Sequence, residues 1–497
     1  MWELWIILLL LLFVFFFVAL QPNYLPRLID FFRGTTPPGP ISFPIVGAIG
    51  VDKARPWKTF TKWGAIYGDI FSVFHGVEYV VILADVKAIR AVLNNPAIDG
   101  RPVNWAGRQM NNSLGVGFAD GLWWTEQRRF LVNTLRGIMG LRSDNSPYGK
   151  YYPIAVQELL ASFANTNGQP FLVRPIIEKA VITSLSSVVH EGQLTGEDPK
   201  VPALFEAFST FFSASHNTNV INTIFPWMRK VPPFRSQFYR LKGAVDYMAN
   251  CARFAIGEKR LHELAEGEKP MDIVDTFRRE MDKSDHGVTF TEDQLVCLTA
   301  ELLMAGSEDV TNIMIWVVLF TALYPEEQRK VQDLLDKVVG EREVSVEDRS
   351  ALGLVDAFVH ETMRFSNAVP YPLPRRALEE TKYLDYKIPK GATIITNIWS
   401  IHFNEKIFDD PFEFRPQRFL DGEGNFVPSP NMLAFGTGRR SCPGMEYAKK
   451  DLFVLLASML QRFKIELPEG EEKPDMHQTN DGVNLTPQSF KIRCTHR

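Results

Sequence analysis

The chain has 497 residues, a length that allows about three average domains or one large one. Hydrophobic residues make up 45% and charged residues 23%, which excludes both a disordered chain and a collagen-like chain. The formal net charge of −4 builds no overall basic field, so we expect no nucleic acid as a main partner. The four cysteines contain no Cys-x-x-Cys pair, which argues against a zinc site and a disulfide framework.

The N-terminal segment predicts a single membrane anchor. Leu4 to Leu20 is a run of 17 residues without a charge. As a helix it would be roughly 26 Å long, close to the hydrocarbon core of a thin bilayer. Glu3 makes the preceding segment acidic and no small-residue cleavage site follows, so an anchor is favoured over a cleaved signal peptide. Arg27 and Arg33 then place the rest of the chain in the cytosol.

The remainder is expected to form one large domain rather than three small ones. No internal repeat and no Pro/Gly/Ser-rich linker follows residue 40. We therefore divide the chain into the anchor and its flank, residues 1–33, and a single body, residues 34–497. The proline-rich stretch 37–40 cannot continue a helix and forms the entry to the body.

A few short strands are predicted in a body that is otherwise mainly helical. Ile70–Phe74 and Tyr79–Leu83 are apolar runs around His75-Gly76, a pattern that indicates a hairpin. Ala392–Trp399 is a further strand candidate, entered through a Pro-Lys-Gly turn. The expected fold class is therefore mainly α with small β-sheets.

A long apolar helix is predicted near the middle of the chain. Thr291 and Gln294 have the spacing of a capping box. From there a weakly punctuated apolar segment runs to Tyr324, where Pro325 ends it. A helix of about 33 residues that is apolar almost all round should cross the centre of the body.

The most informative stretch is Phe435-Gly436-Thr437-Gly438-Arg439-Arg440-Ser441-Cys442-Pro443-Gly444. Its glycines permit a tight loop, and an apolar pattern typical of a helix follows it. A cysteine at a helix N-terminus beside arginines is expected to have a lowered pKa and to be a thiolate. By itself, Cys442 could equally be a structural thiol or a nucleophile, although no nearby histidine would activate it.

This ten-residue stretch resembles the haem-binding loop of the cytochrome P450 family, F-G-x-G-x-R-x-C-x-G, at every fixed position. The resemblance implies the cytochrome P450 fold, with a single helix-rich haem domain behind the N-terminal transmembrane helix. It also implies haem b as cofactor, with the Cys442 thiolate as the axial iron ligand. Arg440 then corresponds to a residue that pairs with a haem propionate. Phe435 and Gly436 correspond to the loop that surrounds the thiolate.

Further motifs of the same family follow in the expected order. Glu361 and Arg364 match its E-x-x-R motif, and the segment 414–419 matches the one whose arginine completes a buried ion triad. Gln417 departs from the glutamate that is common there. The resemblance implies that the triad stabilises the fold around the haem.

Three other positions resemble haem-binding residues of the family. Trp124 and Arg128 match its W-x-x-x-R motif, in which both side chains reach a propionate. Arg375 stands where the family has a histidine or arginine for the other propionate. With Arg440, three arginines would neutralise the two propionates.

The resemblance implies a membrane-anchored monooxygenase of the microsomal animal type, in the endoplasmic reticulum membrane, with its catalytic domain in the cytosol. An NADPH-cytochrome reductase would supply electrons, and cytochrome b5 is a second candidate donor. An apolar pocket near the membrane implies a lipophilic substrate: a steroid, terpenoid, fatty acid or xenobiotic. The alternative is a haem-thiolate isomerase or dehydratase, or a haem sensor, that does not activate O2.

One departure from the family keeps that alternative open. Ala305-Gly306-Ser307-Glu308 matches the start of the family's oxygen-binding motif, but Asp309 stands in place of its threonine. Thr311 cannot replace that threonine, since two residues turn a helix by about 200°. Glu308 and Asp309 are therefore the candidate catalytic residues. In a dry site the Asp309 carboxyl should have a raised pKa and could donate a proton, or it could simply hydrogen-bond in a widened helix groove.

Overall fold

The computed structural model describes residues 2–3, 5–6, 24–43, 47–52, 54–76, 78–103, 105–140, 147–217, 226–260, 272–283, 287–370, 372–476, 479–480 and 484–497. Most of the predicted anchor, Leu4 to Leu20, therefore lies outside the described residues. The first described helix, α1 (Tyr24–Phe32), packs beside the sheet, where the Arg27 Nη2 donates to the Lys390 carbonyl at 2.9 Å.

Helices dominate the described body, as predicted. After α1 they are α2 (Pro56–Tyr67), α3 (Val86–Leu93), α4 (Ala106–Met110), α5 (Gly121–Gly140), α6 (Pro147–Ala164), α7 (Arg174–His190), α8 (Val201–Asn217), α9 (Phe234–Arg260), α10 (Ile273–Met281), α11 (Glu292–Leu323), α12 (Pro325–Val338), α13 (Gly353–Ser366), α14 (Trp399–His402) and α15 (Met445–Arg462).

The strands form small sheets at the edges of the helical body. They are β1 (Ser42–Phe43), β2 (Gly47–Ala48), β3 (Ile70–His75), β4 (Glu78–Leu83), β5 (Phe171–Leu172), β6 (Arg375–Arg376), β7 (Thr381–Tyr383), β8 (Tyr386–Ile388), β9 (Thr393–Thr396), β10 (Phe463–Glu466), β11 (Thr479–Asn480), β12 (Thr486–Pro487) and β13 (Lys491–His496).

The largest sheet has the order β3-β4-β9-β6. Its β3–β4 hairpin confirms the predicted one, with Phe74 opposite Tyr79 across the turn. Strand β9 joins β4 in parallel, with Val80 opposite Thr393, and confirms the first half of the strand predicted at Ala392–Trp399. The predicted end is wrong, because the strand stops at Thr396 and Trp399 begins α14.

Helix α11 is the predicted central helix. The Thr291 side chain accepts a hydrogen bond from the Gln294 backbone N–H at 3.2 Å, as a helix cap should. The other half of the expected capping box is wrong, because the Gln294 amide instead bonds the Gly115 backbone in both directions. Helix α11 is long and apolar enough to cross a membrane, but 72% of its most apolar stretch is buried, so it is a core helix.

Two hydrophobic cores meet along α11. Its N-terminal part, from Leu295 to Met304, packs with helices α5, α8, α9 and α10. Its C-terminal part, from Val310 to Phe320, packs with helices α6, α7, α13 and α15. Residues 305–309 lie between the parts of α11 that belong to the two cores. The side chain of Ala305 is exposed there, although Ala305 is in the middle of a core helix. This position is the one that the oxygen-binding motif occupies.

A buried ion triad holds α13 to the segment that follows α14. Arg364 donates to both oxygens of Glu361, at 2.7 and 2.9 Å, and Arg418 Nε donates to Glu361 Oε1 at 3.0 Å. The side chains of Glu361 and Arg364 are fully buried. The triad predicted from the sequence is therefore present, and Gln417 lies outside it, donating to Glu327 at 2.5 Å.

We expect the three charges to contribute unequally to stability. Glu361→Gln leaves two buried guanidinium groups without a carboxylate and should lower the free energy of unfolding by about 3–5 kcal/mol. Arg418→Gln leaves a neutral pair and should cost less, about 2 kcal/mol. Urea unfolding, followed by tryptophan fluorescence, measures both.

Arg415 provides the matched control in the same segment. Its side chain is 39% exposed and lies 3.8 Å from Asp410, outside the triad. Arg415→Gln should change the free energy of unfolding by no more than about 0.5 kcal/mol. Equal losses for Arg415→Gln and Arg418→Gln would show that the triad is not the source of the stability.

Candidate functional site

The loop before α15 is shaped by two glycines. Gly436 and Gly438 have φ of +68° and +74°, a region that favours glycine. A Cβ on Gly438 would also lie 2.3 Å from the Leu93 carbonyl oxygen. The loop closes where the Cys442 N–H donates to the Phe435 carbonyl at 2.9 Å. The chain thus brings Phe435, Gly436 and Cys442 into one tight loop, as predicted.

The Cys442 thiol lies within reach of the charge on the Asp309 carboxyl of α11, which places the thiol at the space between its loop and that helix. Its side chain is exposed by area, yet burial within the body raises its pKa to about 11. The Gly444 N–H and Arg128 oppose that rise, whereas the Asp309 carboxyl adds to it. The expectation of a lowered pKa is wrong for the thiol alone, because α15 begins only at Met445 and desolvation outweighs its N-terminal field. A bound metal ion is what would deprotonate such a thiol.

Arg440 belongs to this loop, and its guanidinium group stacks on Trp124. Its guanidinium carbon is 4.2 Å from the centre of the Trp124 ring, and its Nη2 donates to the Ala119 carbonyl at 2.6 Å. Burial, followed by the positive charge of Arg375, lowers the pKa of Arg440 to about 9. Its buried Nε has no hydrogen-bond partner among the described residues.

Arg375 and Arg128 lie on either side of the same loop. Arg375 Nη2 donates to the Thr437 carbonyl at 3.1 Å, and Arg128 Nη2 donates to the Ser441 carbonyl at 2.6 Å. The other terminal nitrogen of Arg375 is 3.6 Å from Asp99, too far for a hydrogen bond, and is buried without a partner in the described part of the chain. Burial lowers the pKa of Arg375 to about 10.

Arg101 belongs to this cluster, although no sequence motif predicts it. It is buried and donates to three backbone carbonyls, those of Gly117, Leu373 and Pro374. Burial and the charges of Arg440 and Arg375 lower its pKa well below the usual value. The residues around Arg101 have no periodic pattern or motif spacing that would mark it as part of a site. Its partners Leu373 and Pro374 lie far away in the sequence and come close only in the folded chain.

The cluster has more positive charge than its own carboxylates can neutralise. Six guanidinium groups share Asp99 and Asp120, those of Arg101, Arg108, Arg375, Arg376, Arg439 and Arg440. The charge of Arg440 interacts with both carboxylates. Together with the unpartnered nitrogens of Arg375 and Arg440, this excess fits a bound dianion. The residues present therefore fit a haem: the Cys442 thiolate would hold its iron, and the arginines would hold its carboxylates.

The opposite wall of the space is α11. Asp309 Oδ1 accepts a hydrogen bond from the Asn484 side-chain amide at 2.7 Å. Burial raises the pKa of Asp309 to about 7, against the effect of that hydrogen bond and with a further contribution from Glu308. The expected raised pKa is confirmed, and Thr311 is fully buried elsewhere on the helix.

Glu308 and Asp309 point to different partners. The Glu308 carboxylate accepts two hydrogen bonds from Arg174 Nη2, at 2.8 and 2.9 Å, across to helix α7. Arg174 Nε also donates to Glu178 at 2.7 Å, and the Arg174 side chain is 34% exposed. The two neighbouring carboxyl groups are therefore separated by the helix, one facing the enclosed space and one facing α7.

An apolar pocket lies beside the N-terminal part of α11. Phe118, Phe211, Met248 and Met304 line it together with the carboxyl group of Glu301. Glu301 Oε2 accepts hydrogen bonds from the Val116 and Gly117 N–H groups at 2.6 and 2.9 Å, which fix the loop before α5. The pocket suits a largely apolar molecule.

Comparison with known proteins points the same way. The family model described as Cytochrome P450 matches residues 37–494. The chain is 30% identical to Cytochrome P450 2C16 of Oryctolagus cuniculus over 478 residues, which covers 93% of this chain and 94% of that protein. It is 30% identical to Cytochrome P450 18a1 of Drosophila melanogaster over 476 residues, 93% of this chain and 87% of that protein.

The arginine cluster yields a prediction about ligand retention. Arg375→Met removes a buried cation that has an unpartnered nitrogen, so haem should dissociate about 10-fold faster. Transfer of haem to apomyoglobin measures the rate. Arg439→Met is the control, because Arg439 also pairs with Asp99 but is 48% exposed, and it should change the rate by about 2-fold at most. Equal acceleration in both variants would contradict the assignment of Arg375 to a propionate.

Proposed function

The chain belongs to the cytochrome P450 family of haem-thiolate monooxygenases, and on that premise we propose which reaction its site supports. The enzyme inserts one oxygen atom from O2 into a lipophilic substrate, and electrons come from NADPH through a partner reductase. The observation that carries the proposal is the partly buried Asp309 carboxyl, which is held by Asn484 at 2.7 Å within reach of the Cys442 thiol and has a pKa of about 7.

Haem, when bound, supplies the binding and reductive cleavage of O2. Cys442 would hold the haem iron through its thiolate, and Arg128, Arg375 and Arg440 with Trp124 would hold the haem carboxylates. The tight turns at Gly436 and Gly438 fix Cys442 relative to the arginines, so that one loop orients both.

Asp309 is the proton donor in this proposal. Because its pKa is about 7, a substantial fraction of the carboxyl is protonated at neutral pH. A group with that pKa can both release a proton to the reacting oxygen and take one back. It therefore replaces the threonine that the family motif has at this position.

Glu308 is proposed to return protons to Asp309 from the surface. Arg174 bridges Glu308 and Glu178, and burial raises the pKa of Glu178 to about 6. Since Arg174 is partly exposed, its side chain can release Glu308, which then exchanges protons between the surface side and Asp309. Glu308 thus serves the reaction through Asp309.

The partners and location follow from the same proposal. The reductase is proposed to dock near the Cys442 loop, where the basic residues are the exposed Arg129 and, on α15, Lys449 and Lys450. Their positive charge would attract an acidic flavin domain of a reductase, or cytochrome b5. The run Leu4–Leu20 would anchor the enzyme in the endoplasmic reticulum membrane, with the catalytic domain in the cytosol. A steroid, terpenoid, fatty acid or xenobiotic as substrate is proposed from the family, and the pocket beside α11 contributes to this proposal only its mostly apolar lining.

Asp309 also favours a second candidate function. A carboxyl group in place of the motif threonine would suit an isomerase or dehydratase that acts on an already oxygenated substrate, or a haem sensor. Turnover with reductase, with and without NADPH, separates the two functions. Product formed without NADPH would replace the monooxygenase by the isomerase or dehydratase.

Asp309→Asn should uncouple the monooxygenase. The amide keeps the shape of the side chain but cannot deliver the proton, so we expect about 10-fold less product per NADPH and more hydrogen peroxide. Thr311→Ser, at a buried position two residues away, should leave the ratio unchanged. The proton-donor role fails if Asp309→Asn keeps the parent ratio.

The same group predicts a pH dependence. The protonated fraction of Asp309 falls as pH rises through about 7, so product per NADPH should fall from about pH 6 to about pH 8. Glu308 and Cys442 are the other titratable groups whose charges reach Asp309 in the described structure. The pH dependence should be absent in Asp309→Asn, and its persistence there would assign it to another group.

A further inference from the structure

We propose that Asn484 is a positioning residue that fixes which oxygen of the Asp309 carboxyl carries the proton. The inference rests on the proposed function, in which that proton is delivered to the reacting oxygen. Asn484 is only 7% exposed and lies 175 positions from Asp309 in the sequence, just before strand β12.

The direction of the hydrogen bond is what fixes the proton. The Asn484 Nδ2 group donates at 2.7 Å, so Asp309 Oδ1 must accept. An oxygen that accepts from an amide along this direction is a poor place for the acid proton, which is therefore held by Oδ2. Among the described residues, no donor reaches Oδ2, and this oxygen remains available to the enclosed space.

Asn484 is itself fixed to α11. The carbonyl of the next residue, Leu485, accepts hydrogen bonds from Asn312 Nδ2 and Trp316 Nε1, both at 3.0 Å. The Leu485 N–H donates to the Ala368 carbonyl at 2.7 Å, which ties the same residue to the loop after α13. Positions 309, 312 and 316 lie on one face of the helix, so the segment is held beside Asp309 at three points.

The contact also changes the balance between the two protonation states. A donated hydrogen bond stabilises the carboxylate, whereas burial and the charge of Glu308 destabilise it. After Asp309 has given up the proton from Oδ2, the Asn484 amide still bonds the resulting carboxylate at Oδ1. Without this amide the carboxyl should hold its proton more tightly and release it less readily.

Infrared spectroscopy of protein with ¹³C-labelled aspartate tests the proposal. The protonated carboxyl band of Asp309 is identified as the one that Asp309→Asn removes, which separates it from the buried Asp451. In Asn484→Leu, the ionisation constant of this band should fall about 10-fold, so that the band persists to higher pH. Product per NADPH should then depend on pH over a correspondingly higher range.

Asn312→Leu is the matched control. Asn312 is also a buried asparagine that donates to the same segment, but in the described structure it makes no hydrogen bond to the Asp309 carboxyl. Its variant should leave the titration of the Asp309 band unchanged. The proposal is overturned if Asn484→Leu does not move that titration, or if Asn312→Leu moves it equally. Asn484→Ala replaces the leucine variant if the latter does not fold.

The two proposals fail in different measurements. The band reports the proton on Asp309 whether or not this proton is used in the reaction. If Asp309→Asn keeps the parent ratio of product to NADPH, the proton-donor role is wrong, and the titration in Asn484→Leu still decides whether Asn484 controls the carboxyl.

Discussion

The buried triad of Glu361, Arg364 and Arg418 is the interaction on which the position of the cysteine loop depends. Its excess positive charge is balanced by backbone carbonyls, since Arg364 also donates to those of His402, Pro411 and Glu413. His402 links the triad to the next segment, because its carbonyl accepts from Arg364 and its ring bonds Leu433. Burial and the charge of Arg364 lower the pKa of His402 to about 3, so its ring is neutral and its Nε2 accepts from the Leu433 N–H at 3.2 Å. Leu433 stands two residues before Phe435, so the triad is linked to the loop through a chain of buried hydrogen bonds.

Two adjacent carboxyl groups acquire different roles from their surroundings. Glu308 bonds a guanidinium group that reaches the surface, whereas Asp309 bonds a neutral amide in an enclosed space. Helix α11 can separate them because Gly306 lets it approach α7 closely: a Cβ there would lie 2.7 Å from Leu185 Cδ2. That close approach is also what allows Arg174 to reach Glu308. The close packing at Gly306 thus bears on Glu308 through Arg174, whereas Asp309, about 100° round the helix, bonds Asn484.

Local patterns predicted the hairpin, the central helix and the cysteine loop, because each is encoded within about thirty residues. Motif spacing also predicted the ion triad. The contacts of Arg101 and Asn484 could not be predicted, since their partners lie far away in the chain and no motif marks them. The expected lowering of the pKa of the Cys442 thiol was wrong for a different reason: the field of the helix end was counted but the desolvation of the thiol was not. Gln294 has the spacing of a capping box, yet its side chain forms a hydrogen bond with the backbone of Gly115 instead.

The surplus of guanidinium groups around Asp99 and Asp120 affects how stable the protein is in the cell before haem binds. A ligand that binds only the native state adds its binding free energy to stability, and here it also relieves repulsion between buried cations. A newly made chain without haem would keep that repulsion in its interior, and a larger share of such chains would be unfolded and open to chaperones and proteases. Haem supply would therefore control how much of this protein accumulates, as well as how much of it is active.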